Sequence, residues 1–198
     1  MMLDDVARVN WAVATRTYGS DHATLIGLTV SWWNGEADSH CVLDEGPGIG
    51  WRPNGRASAR CDALLCKDSC PVAVVEVEGT RYCYTLEKIK HLFDSNDPAF
   101  RSVKVAILVA YANKAVGRGH DRQILPVPSE SLVKMSRDIT GQRPGKSIVL
   151  VAVDKRYERI TEGIRAKSEY YWGTVSRIEG CKIAGGQIVA ERRFWPEE

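Results

Sequence analysis

The sequence predicts a single α/β domain over residues 1–198, with a mixed central sheet flanked by helices, further helices at its N-terminal end and a β-hairpin at its C-terminal end. Three observations predict it. Apolar residues recur at helical spacing through 4–33. Two apolar runs, VKVAILVA at 103–110, interrupted only by Lys104, and IVLVAV at 148–153, have the composition of strands covered on both faces. Around these runs the pattern reads strand, strand, helix, strand, helix, strand, which puts the core at about 40–155.

Each element has a local reason. Val6, Val9 and Val13, flanked by Trp11, make a helix over 4–18 that Asp4 or Asp5 caps and Gly19 stops. A second helix runs from Ser20 or Asp21 to Trp33 on Leu25, Ile26, Leu28, Val30 and Trp32, and Asn34-Gly35 ends it. Residues 44–57, DEGPGIGWRPNGRA, are too rich in glycine and proline for a regular element. Strands follow at 58–66 and 71–78. Thr85 is a candidate N-cap for a helix over 85–94, with Leu86, Ile89, Leu92 and Phe93 on one face. Residues 113–129 read as a basic loop, and a short helix from Ser129 or Ser131 to Ile139 leads into the strand at 148–153. Strands at 169–178 and 183–193, joined near Gly180, form the terminal hairpin.

Composition narrows the function classes. With 44% hydrophobic and 26% charged residues the chain can bury a core. Its net charge of +2 means that an anion-binding surface must come from local clustering. No run of about 18 apolar residues marks a membrane span. The opening MMLDDVARVN has no apolar signal-peptide segment, so a cytoplasmic setting with free thiols is expected for the six cysteines.

The candidate chemistry lies in RCDALLCKDSCPVAVVEVE, residues 60–78. Asp62 stands amid apolar residues on the first strand. Glu76 and Glu78, two apart on the second, face the same way, while Val75 and Val77 face the other. If the strands pair, three carboxylates meet at one edge of an apolar sheet. Like charges there are costly to desolvate, and a divalent cation with hard oxygen ligands is the commonest compensation. The alternative is plain ion pairing with Arg60 and Arg81.

An acid, a gap of thirteen residues, then Glu-x-Glu, on strands followed by a helix and a buried strand, resembles the PD-(D/E)xK nuclease superfamily, the restriction-endonuclease-like fold. The resemblance covers about 40–112. It implies a metal-dependent DNA endonuclease that hydrolyses phosphodiester bonds with Mg²⁺, or Mn²⁺ in its place. Asp62 and Glu76 would be metal ligands, and Glu78, standing where the motif has lysine, would bind metal or assist water activation. The resemblance also implies an upstream acid, Glu45 or else Glu36, and allows a relocated lysine. Lys88 on the following helix could reach back to the acids, or it could be an ordinary solvated residue.

Phosphate contacts require local positive charge. The candidates are Arg52, Arg56 and Arg60 before the first acid, and Lys114, Arg118, His120 and Arg122 in the basic loop; Arg143 with Lys146 is a further pair, and Trp51 could stack on a base. DNA is the expected partner, cutting both strands of a duplex would favour a homodimer, and neither a membrane nor a nucleotide cofactor is expected. GQRPGKS at 141–147 imitates a phosphate-binding loop, but it opens a strand and not a helix. Cys61, Cys66 and Cys70 lack zinc-site spacing, as do the four histidines. YYW at 170–172 reads as core or an interface patch. Two other functions fit the same residues: a catalytically silent protein of this fold that binds nucleic acid or a protein partner, and a structural protein whose acids pair with arginines.

Overall fold

The apolar runs become the central strands β4 (Val105–Tyr111) and β5 (Ser147–Arg159), which pair in parallel. The structure is a computed structural model and describes residues 3–11, 22–36, 38–43, 60–79, 81–111, 130–159 and 171–195. β4 is buried along its whole length, as its unbroken apolar sequence requires. β3 (Cys70–Glu78) lies parallel on the far side of β4, and β2 (Ala63–Lys67) and β1 (Ser39–Leu43) continue outward as antiparallel neighbours. On the β5 side, β6 (Tyr171–Ala184) and β7 (Gln187–Trp195) add two antiparallel strands. The sheet therefore has seven strands in sequence order.

Parallel neighbours need crossover connections, and helices supply them. α3 (Tyr82–Phe93) and the short α4 (Pro98–Arg101) lie between β3 and β4, and α5 (Glu130–Gly141) lies before β5. These helices cover one face, with Leu86, Ile89, Leu92 and Leu132 against Val74, Leu108 and Leu150. α1 (Leu3–Ala7) and α2 (His22–Asn34) cover the other, with Val6, Leu25 and Trp33 against Val75, Ile107 and Val151. Trp33 donates its indole N–H to the Cys66 carbonyl at 2.9 Å, which satisfies the polar atom that a buried tryptophan brings with it. Strand alternation then sets the faces of the acids. Val75 and Val77 point to the α1–α2 side, so Glu76 and Glu78 lie on the α3–α5 side.

Several boundaries differ from expectation. The first helix covers Leu3–Ala7, and 12–20 lie outside the described residues. β1 was not expected from the sequence. α3 begins at Tyr82 rather than at Thr85. The terminal hairpin turns at Gly185-Gly186, whose φ of 56° and 77° suit a tight two-residue turn, and not near Gly180. Gly180 instead lies inside β6, where a Cβ would stand 2.6 Å from the Phe194 ring and 3.2 Å from the Leu150 carbonyl oxygen. Glycine is needed there for space, not for its backbone freedom. Gly180→Val is expected to lower stability by about 1–3 kcal/mol through overpacking, read as a fall in Tm by circular dichroism. None of the described helices is long and apolar enough to cross a membrane.

Candidate active site

Glu76 lies on the α3 side of β3 at 2% exposure. A carboxylate in such a place needs a partner or must hold a proton. The partner comes from α3. Leu86, Ile89 and Leu92 turn that helix's apolar face to the sheet. Lys88 stands beside this face at 8% exposure, so its stem lies along the core and its ammonium reaches Glu76 Oε2. The ammonium also donates to the Arg60 main-chain carbonyl at 2.9 Å. Lys88 is therefore not a solvated helix residue. The second oxygen of Glu76, Oε1, is buried and accepts no hydrogen bond among the described residues.

Asp62 immediately precedes β2. Because Ala63 pairs with Val75, the antiparallel ladder brings Asp62 alongside Glu76. Asp62 Oδ2 accepts the Val77 N–H at 2.7 Å and stands 3.5 Å from Nε2 of His22, the first residue of α2. Glu78 does not join them in one pocket. Its Oε1 accepts the Gly79 N–H at 2.8 Å and its Oε2 accepts the Thr85 hydroxyl at 3.2 Å. At the end of β3, donors from the following turn and from α3 thus engage both oxygens of Glu78. Among the described residues, no group of three His, Cys, Asp or Glu side chains is placed to hold a metal ion. The expected convergence of three carboxylates is thus corrected to a pair, Asp62 and Glu76, with a lysine beside it.

Burial pushes the Glu76 carboxyl up to about 8, opposed by the Lys88 charge and hydrogen bond and reinforced by Asp62 and Glu78. Burial pulls Lys88 down, but the charge and hydrogen bond of Glu76, with Asp62 and Cys61, outweigh it and leave the ammonium above its usual range. Both members of the pair hold their protons more tightly than in water. Cys61 borders the same group, and burial, then the Glu76 charge, push its thiol up to about 12. A thiol so placed is protonated at neutral pH, which argues against a cysteine nucleophile here.

Arginines do not clamp Asp62 or Glu76 among the described residues; the compensating cation is Lys88. Arg60 contributes its carbonyl. Glu36 pairs with Arg8 at 2.6 Å and stands apart from this group. Glu45, Arg52, Arg56, Lys114, Arg118, His120 and Arg122 lie outside the described residues. His22 was missed by sequence reasoning because a histidine at a helix start, with no ligand spacing, carries no local signal.

Asp62 and Glu76 are the carboxylates of this group that could hold a divalent cation. Glu76 Oε1 is a bare buried oxygen, and Asp62 supplies a second hard donor beside it. Mg²⁺ commonly uses one or two carboxylates and takes its other ligands from water and substrate phosphate. A cleft of about 750 Å³ lies elsewhere, between α5 and the β6–β7 turn at Gly186. Compared with protein-family models, curated proteins and solved structures, the chain shows no significant match.

Proposed function

We propose that the chain is a metal-dependent DNA endonuclease on a restriction-endonuclease-like fold. One observation carries this reading: Glu76, buried with one oxygen bare, lies beside Asp62 and is held by a buried lysine from the next helix. The strand, strand, helix, strand order of β2, β3, α3 and β4 supports it, with an acid before β2 and another on β3. Lys88 would fill from α3 the role of the motif lysine that Glu78 leaves open. Asp62 and Glu76 would hold the cation, Mg²⁺ or Mn²⁺, which when bound polarises the phosphate and acidifies water. The Val77 N–H fixes the Asp62 carboxylate, and Lys88 orients Glu76 and presents donors to an attacking water. Glu78, tied to Thr85, secures the junction of β3 and α3. A cytoplasmic setting belongs to the same reading.

The test is cleavage of plasmid and single-stranded DNA with Mg²⁺ or Mn²⁺. Wild type is expected to cut, and Asp62→Ala and Glu76→Ala to lose at least about a hundredfold in rate, the scale of removing a charge-stabilising group. Absence of cleavage on every substrate, together with absence of metal binding by calorimetry, would end the enzymatic reading.

The competing reading is a catalytically silent binder of nucleic acid. The observation favouring it is the glutamate at the motif's lysine position, already engaged by Thr85 and Gly79. A silent binder keeps its DNA affinity in chelator and is indifferent to Asp62→Ala.

A further inference from the structure

β5 and β6 are longer than the sheet that holds them. β4 accompanies β5 only as far as Val153, and β7 accompanies β6 only from Ile178 onward. Pairing between β5 and β6 nevertheless continues through Asp154 with Arg177 and then, past a register shift, through five more pairs, from Lys155 with Val175 to Arg159 with Tyr171. Among the described residues this extension has no third strand. It is a two-stranded ribbon about 16 Å long at the usual rise per residue.

The ribbon leaves the sheet at a defined place. Its first pair follows a register shift between Asp154 and Lys155, with Ser176 as the extra residue opposite. Such a bulge bends a strand pair and increases its twist. β3, β4 and β5 run parallel, so the ribbon projects from the edge where β3 ends in Glu76 and Glu78. Two strand spacings, about 10 Å, separate the two strands at that edge.

Sequence and register together indicate what the ribbon meets. Its β5 strand reads KRYER, residues 155–159, with three basic residues and one acid. Its β6 strand reads YWGTV, residues 171–175, with no charge at all. Basic residues therefore exceed acids on an extension of a chain whose net charge is only +2. The B-DNA major groove, about 12 Å wide, admits a two-stranded β-ribbon, and basic residues neutralise the phosphates that flank it.

We propose that residues 155–159 and 171–175 form a duplex-DNA-binding arm that seats the major groove beside the Asp62–Glu76 edge. The choice of DNA as the polymer rests on the nuclease reading; the arm itself requires neither metal nor catalysis. A-form RNA is disfavoured because its major groove is too narrow and deep for a ribbon to enter.

The experiment measures binding of a fluorescent 20-base-pair duplex by the full chain in chelator, over a series of salt concentrations. The triple variant Lys155→Gln, Arg156→Gln, Arg159→Gln is expected to bind about tenfold or more weakly, with the slope of log affinity against log salt reduced by about three. A control removing the exposed Arg101, Lys104 and Lys134 should leave the slope close to that of wild type. Protection of Lys155 from amine labelling, greater than that of Lys104 when duplex is added to unmodified protein, gives a second reading that needs no variant. Equal loss in the control, unchanged binding by the triple variant, or tighter binding of single strands than of duplex would overturn the arm. A wild type that binds duplex through these residues but never cuts would overturn the nuclease and leave the arm standing.

Discussion

Lys88→Met will destabilise the protein by about 3–5 kcal/mol at pH 9, among the largest losses available to one substitution in this fold. The expectation follows from how the pair is buried. Glu76 is 2% and Lys88 8% exposed, and the ammonium is the one cation on Glu76 among the described residues. Methionine keeps most of the stem's volume, so the loss reports charge and not a cavity. Without the ammonium, Glu76 must either ionise alone in an apolar setting or keep its proton. At pH 5 Glu76 keeps its proton in both proteins, so the loss there is smaller by up to about 1.4 kcal/mol, the linkage over the one pH unit between 8 and 9. The pH dependence therefore separates a charge effect from a packing effect.

The double variant Lys88→Met, Glu76→Leu completes the cycle. A buried ion pair replaced as a whole by apolar groups is often neutral or stabilising. Recovery of most of the lost stability at pH 9 is expected in urea denaturation, giving a coupling energy well above that of independent sites. If the single variant is as stable as wild type at both pH values, the buried pair is not what holds α3 to β3.

Glu76→Gln is expected to change the pH profile of stability in one direction and one window. The carboxyl has an ordinary value of 4.5 and rises to about 8 in the folded protein. Between these values the folded state binds the proton that the unfolded state has released. Stability from this group is thus fully present below 4.5 and falls as pH rises toward 8, with a slope of at most about 1.4 kcal/mol per pH unit. The amide cannot ionise and lacks this loss. Tm measured from pH 4 to 9 should therefore favour the variant increasingly until about pH 8 and then level off. Lys88 does not disturb the window, because its raised value moves its own loss to the alkaline side of 10.5. A difference that runs the opposite way, or is flat across the window, would show that Glu76 is ionised at all these pH values.

Legibility in the sequence follows the range of the interactions concerned. Apolar periodicity is a local property, so the strands at 103–110 and 148–153, the amphipathic α3 and the shared face of Glu76 and Glu78 could all be read from spacing. Turn chemistry was less legible. Gly180 looks like a turn residue in isolation, and only the Phe194 ring across the ladder explains it as a space requirement. The reach of Lys88 depends on how far α3 is rotated over β3, which is a packing outcome; sequence left it between a relocated motif lysine and a solvated helix residue. Glu78 accepts the hydroxyl of Thr85, which the sequence offered as an N-cap and which the structure places inside α3.

By itself, then, the sequence determined the α/β class, the mixed sheet with flanking helices and the candidacy of Asp62 and Glu76, because alternation and burial of apolar runs are encoded residue by residue. The tertiary structure alone decided that these two acids stand together with a buried lysine, that Glu78 is otherwise engaged, and that β5 and β6 run on past the sheet. Those outcomes depend on distances between segments far apart in the chain, and no local pattern carries them.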